Sequence, residues 1–218
     1  MAELICRAYY APDRDSEKLI HDVLRRTTWL WNIMVKQLSD VTLDYCNFKE
    51  GEDGYISDLE FSTIFIAIRD ILKDPAEVAK TTGVFDTKTK SELNLIRELS
   101  DSAFEGRMSD MLRCYVTARR RITSGLKEGE KSNIPTLKRK SSSKSVRYGS
   151  DDIRFDEKGI TVMTGIGDLF VPNANLPNID VTSDIAVSIS PKRPKMDIRK
   201  QLGLPEDRRI FTISVFRR

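Results

Sequence analysis

Ile153-Arg154-Phe155-Asp156-Glu157-Lys158-Gly159-Ile160-Thr161-Val162 alternates apolar and polar side chains on both sides of a short polar turn that contains a glycine. Alternation with period two around such a turn predicts a β-hairpin with one buried face. Strand-like runs follow at residues 169–171, 185–189 and 210–216, separated by Pro172, Pro177, Pro191, Pro194 and Pro205. Before Lys127 the apolar residues recur instead at spacings of three and four, the period of a helix. The chain is therefore expected to be α+β, with helices first and a small antiparallel β module second.

Working back toward the N-terminus, Leu4-Ile5-Cys6-Arg7-Ala8-Tyr9-Tyr10 reads as one more strand, which ends at Pro12. Asp13 is placed to cap a following helix. Ile20, Val23, Thr27, Leu30, Trp31, Met34, Leu38 and Val41 then form one apolar stripe about six turns long. Ser57-Asp58-Leu59-Glu60 matches a capping box for a helix carrying Ile64, Ile68 and Leu72. Leu93, Ile96, Leu99 and Ala103 suggest a short helix, and Phe104, Met108, Met111, Leu112 and Tyr115 a longer one after it. The expected architecture is a first strand at residues 1–12, a helical domain at 13–130, and a β barrel at 131–218 to which the first strand returns.

The 218 residues are enough to bury a real core, and no apolar run approaches the roughly 18 residues needed to span a bilayer. The N-terminus lacks the pattern of a secretory signal, so a cytoplasmic location, with no membrane partner, is the expectation. Cys6, Cys46 and Cys114 are widely separated and form no Cys-x-x-Cys pair, which argues against a zinc ribbon or a disulfide framework. His21, the only histidine, has no cysteine or second histidine to share a metal with. No metal or other cofactor is expected.

Charge is the strongest functional signal. The net charge of +3 conceals a segment, residues 107–148, with twelve Lys/Arg against three Asp/Glu, whereas residues 1–106 carry thirteen against twenty. The segment includes Arg113, Arg119, Arg120 and Arg121 on a helix, then Lys138, Arg139, Lys140, Lys144, Arg147 and Tyr148. Closely spaced cations with small hydroxyls and one aromatic suit phosphate neutralisation beside a stacking platform. The plainer alternative is a solvated basic loop. Arg113 and Arg120 lie seven residues apart, near two full turns, and flank Thr117 on one side of the helix.

The order of these features resembles a known family. Tyr10-Ala11-Pro12 after a first strand, Arg25-Arg26-Thr27-Thr28-Trp29-Leu30-Trp31-Asn32 on a long helix, and Arg119-Arg120-Arg121 come first. Ile134-Pro135-Thr136-Leu137-Lys138, Ser145-Val146-Arg147-Tyr148 and Ile213-Ser214-Val215 follow. Together they are similar to the N-terminal half of the transposon-encoded TnpB proteins and the compact type V CRISPR effectors. The resemblance implies that the helical part is a recognition (REC) lobe and the β part a wedge (WED) domain, which grip a guide RNA and its duplex with target DNA. It places phosphate contacts on Lys138, Lys140, Lys144 and Arg147, with Tyr148 either in the core or stacked on a base. Positions that read a short DNA motif in the family fall on Asp101, Ser102, Glu105, Gly106 and Ser109, which include two carboxylates and a glycine where long amides are common.

The family's nuclease, a RuvC domain with carboxylates holding Mg²⁺, has no counterpart in these residues, so a non-catalytic RNA-binding protein is expected. It would act as an accessory subunit, a regulator or a competitor for guide RNA in a prokaryote or phage. The alternative is a protein–protein module that docks on a full-length effector or a separate RuvC-containing chain. Residues 210–216 are expected to form a strand lacking its usual family neighbour, open to a partner strand or to self-association.

Overall fold

The computed structural model describes residues 3–37, 58–74, 76, 87–125, 135–137, 145–172, 185–191, 199–200, 203 and 209–217. The chain forms two units, one of Met1–Thr28, Glu98–Gly106 and Lys140–Arg218, the other of Trp29–Arg97 and Arg107–Arg139. Helices and antiparallel sheets are both present, as an α+β reading requires.

In the first unit, strands β1 (Glu3–Tyr10), β2 (Val146–Tyr148), β6 (Ile185–Ser190) and β7 (Phe211–Arg217) make a four-stranded antiparallel sheet in the order β1-β7-β6-β2. Strands β3 (Ile153–Asp156), β4 (Gly159–Met163) and β5 (Asp168–Pro172) make a second, three-stranded sheet. The described strands thus build two sheets and not one closed barrel. The hairpin has the register its alternation predicts, Phe155 opposite Ile160 and Asp156 opposite Gly159. Asp156 Oδ1 accepts the N–H groups of Lys158 (2.7 Å) and Gly159 (2.9 Å), and a Cβ on Gly159 would lie 2.2 Å from the Val171 carbonyl oxygen. Only glycine fits there.

The expectation of an open C-terminal strand is corrected by this topology. Strand β7 is internal, paired with β1 on one side (Ala8 opposite Ile213) and with β6 on the other (Ile189 opposite Ile213). Its backbone groups are satisfied on both sides by the chain itself, so it offers no edge for a partner strand or for self-association. The first strand does return to the β module, as expected.

Alternation divides the four-stranded sheet into two faces. Cys6, Ala8 and Tyr10 of β1, Ile213 and Val215 of β7, and Val187 and Ile189 of β6 are buried on one, with Val146 and Tyr148 of β2. The other face carries Ser188 and Ser190 of β6, Thr212 and Ser214 of β7, and arginines on the outer strands.

Helix α1 (Arg14–Gln37) starts where Asp13 caps it, with the Ser16 N–H donating to Asp13 Oδ1 at 2.7 Å. Such a cap stabilises a helix by about 1 kcal/mol. Within the first unit the stripe of α1 buries Ile20, Val23 and Leu24, and the hydroxyls of Thr27 and Thr28 donate back to the Leu24 carbonyl. Leu38 and Val41, assigned to the same stripe, and Ser57 of the capping box lie outside the described residues.

The second unit packs the rest of α1 with α2 (Asp58–Lys73), α3 (Thr87–Ile96) and part of α4 (Asp101–Thr123). Leu30 and Met34, Ile64, Ile68 and Leu72, Leu93 and Ile96, and Met108, Met111, Leu112 and Tyr115 are among its buried apolar residues. The boundary between the last two helices differs from expectation, because Leu99 falls in the joint between them and Ala103 belongs to the second. Ser100 sets that boundary by capping α4: its carbonyl accepts the Phe104 N–H at 3.0 Å, and its Oγ accepts the Ala103 N–H at 3.4 Å.

Candidate nucleic-acid interface

Along α4 in the second unit, the buried residues Met108, Met111, Leu112 and Tyr115 turn the opposite side outward. Arg113, Thr117 and Arg121 are all exposed there. At 3.6 residues per turn they span an arc of about 80° on the helix surface. Thr117 donates its hydroxyl proton to the Arg113 carbonyl at 2.8 Å. The Arg113 guanidinium lies 5.5 Å from the centre of the Phe61 ring of α2, a cation–π contact that biases the long side chain toward one position. Arg119 and Arg120 belong to the same helix, but their side chains are not among the described residues.

Arg107, the first cation of the basic segment, has a different place. Only 4% of it is exposed, and its guanidinium sits 4.9 Å over the Trp31 ring. Burial lowers its affinity for a proton, and Asp110 works the other way. It is a core cation and adds nothing to a phosphate-binding surface. Trp31 does more than fill the core, for its Nε1–H donates to the Thr136 carbonyl at 2.9 Å. With Pro135 buried, this bond fixes the segment two residues before Lys138 on α1. The tryptophan stripe was legible as packing, but nothing in its spacing indicated this anchor. Lys138, Arg139, Lys140 and Lys144 lie outside the described residues.

In the first unit, Arg147 is exposed in the middle of β2. Its neighbour Tyr148 is fully buried, at 0% exposure, and its hydroxyl has no hydrogen-bond partner among the described residues. Burial pushes the phenol well above its ordinary pKa, with Asp152 adding to the effect. A ring in that position offers no face to a base, so the assignment of Tyr148 to nucleic-acid binding is corrected: it is a core residue, because alternation on so short a strand turns Arg147 out and Tyr148 in.

Where α4 begins, its residues are held by the β unit. The Ser100 N–H donates to the Thr164 carbonyl at 2.9 Å, and Arg26, on α1, reaches Glu98 at 2.6 Å and Asp22 at 3.0 Å. Ser102 hydrogen-bonds the Asp152 carboxylate and accepts the Gly149 N–H at 3.0 Å. Of the five positions that the family resemblance assigns to motif reading, Ser102 is therefore engaged in holding the helix.

His21 and Glu17 on α1 meet Arg209, which precedes β7. Arg209 donates to His21 Nε2 at 2.6 Å, Glu17 lies 3.6 Å from the same nitrogen, and the ring packs edge-on against Phe211. Burial, and then the Arg209 charge, hold the imidazole below its ordinary pKa. Cys6 is buried and Cys114 half-buried, both as free thiols, and burial pushes the Cys6 thiol up. Among the described residues no group of three His, Cys, Asp or Glu side chains could hold a metal ion, and no helix is long and apolar enough to cross a membrane.

No protein-family profile matches the chain, and no curated protein sequence matches it either.

Proposed function

We propose that this chain binds structured RNA, as a relative of the TnpB and compact type V lineage. The observation that carries this is the outward side of α4, where Arg113 and Arg121 flank Thr117 within the segment that holds twelve cations against three acids. A neutral core side and a cationic outer side on one helix form a surface that gains free energy by releasing counterions from a polyanion. In this proposal the helical unit is the counterpart of a recognition lobe and the β unit of a wedge domain. The RNA is of guide type, with its duplex with target DNA a further ligand. The protein would serve as accessory subunit, regulator or competitor. A docking module for a separate RuvC chain is the weaker alternative, since β7 has both neighbours already.

Titration of a structured RNA at several salt concentrations tests the proposal. Contact with six or more phosphates should weaken binding by about 10³-fold or more between roughly 50 and 200 mM salt. Replacing Arg113, Arg120, Lys138 and Lys140 together by Gln should remove that binding and leave the melting temperature close to the parent's. Absent binding at low salt, or a salt-independent affinity, refutes it.

A further inference from the structure

Within the first unit, Arg209 and Glu17 converge on one ring nitrogen of His21, the only histidine of the chain. Arg209, in the stretch that enters β7, places Nη1 2.6 Å from His21 Nε2. Glu17, one turn earlier on α1, places Oε1 3.6 Å from the same nitrogen and 3.5 Å from Arg209 Nε. The ring itself packs edge-on against the buried Phe211, with 5.6 Å between ring centres.

A guanidinium has donors and no acceptor, so the contact at 2.6 Å requires a bare Nε2 and puts the proton of the neutral ring on Nδ1. Further proton uptake then has one place to go, the nitrogen that Arg209 occupies. An Nε2–H cannot accept from Arg209, and two cations at that distance repel each other. Glu17 Oε1, on the same helix face as His21, can accept the new proton's hydrogen bond. The other polar groups around the ring are engaged elsewhere: Lys18 with Asp15 at 3.0 Å, Arg25 with Asp22, and the hydroxyl of Tyr10, the residue opposite Phe211, with the Phe170 carbonyl at 3.0 Å. Glu206, Asp207 and Arg208, which precede Arg209 in sequence, lie outside the described residues.

We propose that this cluster is a proton-operated clasp between α1 and the start of β7: with His21 neutral, Arg209 is fastened to α1 through His21 and Glu17, and with a proton on Nε2 the imidazolium turns to Glu17 and Arg209 is released. The clasp acts on a central strand, because Phe211 opens β7 opposite Tyr10 of β1, and Thr212 follows opposite Ser190 of β6. Acid therefore loosens the entry of β7 first, whereas the three-stranded sheet contributes no residue to the cluster. Burial, and then Arg209, set the exchange below the ordinary imidazole value of about 6.5.

A single histidine makes the test direct, since every imidazole signal in the nuclear magnetic resonance spectrum of isotope-labelled protein is His21. At about pH 7.5 the ring should carry its proton on Nδ1 with Nε2 bare; the proton on Nε2 at that pH overturns the proposal. Arg209→Met removes the donor from an exposed side chain, which melting should confirm leaves the fold intact. It should move the proton to Nε2, facing Glu17, and raise the pH at which the ring titrates; an unchanged tautomer and titration refute the clasp. Hydrogen exchange, corrected for its intrinsic pH dependence, reads the consequence. On going below the imidazole titration, amides from Phe211 to Ile213 should speed up about two- to fivefold more than those of Val162 and Leu169, the range expected for loss of one exposed charged contact. In Arg209→Met that difference between the sheets should vanish. Equal acceleration in both sheets of the parent, or a difference that persists in Arg209→Met, would show that acid acts on the unit as a whole and not through Arg209.

Discussion

Replacing Gly165 by Ala should be among the most damaging single-methyl changes in the β unit. Gly165 has φ +86°, and a Cβ built on it would lie 2.3 Å from both the Glu98 carbonyl oxygen and the Ser100 nitrogen. Both obstacles are backbone, so no rotamer change relieves the clash. The left-handed conformation alone costs a residue with a side chain about 1–2 kcal/mol. Overpacking against fixed neighbours adds about 1–3 kcal/mol, and displacing the joint stretches the bond from Ser100 N–H to the Thr164 carbonyl as well. Together the loss should be about 3 kcal/mol, which for a domain of this size lowers the melting temperature by roughly 6–12 °C. Gly203 provides the comparison: it also has positive φ, +60°, but nothing lies within 4 Å of its added Cβ. Gly203→Ala should therefore show only the conformational cost, about 1 kcal/mol. Urea unfolding of both variants measures the difference directly. Equal losses in the two would mean that the turn does not press on the start of α4, and the account of how that helix is anchored would be wrong.

Tyr148→Phe should leave stability unchanged or raise it by about 1 kcal/mol, because it removes a buried hydroxyl that lacks a partner among the described residues. A clear loss in urea unfolding would reveal a hydrogen bond that the described residues do not supply. The pH dependence of stability should carry a contribution from His21, whose folded pKa is lowered by burial and by Arg209. As pH falls through about 6.5 the unfolded chain takes up this proton first, so stability drops until the folded imidazole is protonated too. Urea midpoints at pH 7.5 and 5.5 should therefore differ less in His21→Gln than in the parent; an identical difference in both would show that the imidazole plays no part.

What could be read from the sequence was what depends on near neighbours. Asp13 as a cap, the stripe through Ile20 and Val23, and the turn at residues 156–159 are each decided within a few positions. What could not be read was which distant segments meet. Nothing around Phe211 says that Glu3–Tyr10 lies on one side of it and Ile185–Ser190 on the other, so the strand looked exposed when it is central. Tyr148 shows the same limit at smaller scale. A three-residue strand has too little alternation to fix which face is inward, and the packing of β2 on β6 decides it. Arg107 was counted with the surface cations because charge in a sequence does not reveal that an aromatic such as Trp31 lies over it. For the candidate interface, the helix and the outward side around Arg113 and Thr117 follow from periodicity, which joined Arg120 to them, whereas it is Arg121 that the described residues show exposed beside them.

The pairing of β1 with β7 also sets a timetable for synthesis. Tyr10 lies opposite Phe211, so about two hundred residues must be made after the first strand before its partner exists. At roughly 5–20 residues per second that is a wait of about 10–40 s, long enough for the helical unit to form from contacts closer along the chain. During that interval Leu4, Ile5 and Cys6 belong to an apolar segment with no sheet to join. The nascent chain is thus at its most vulnerable near the ribosome, and holdase chaperones that recognise short apolar segments would have their longest opportunity there, before β7 slots between β1 and β6 and closes the sheet in one late step.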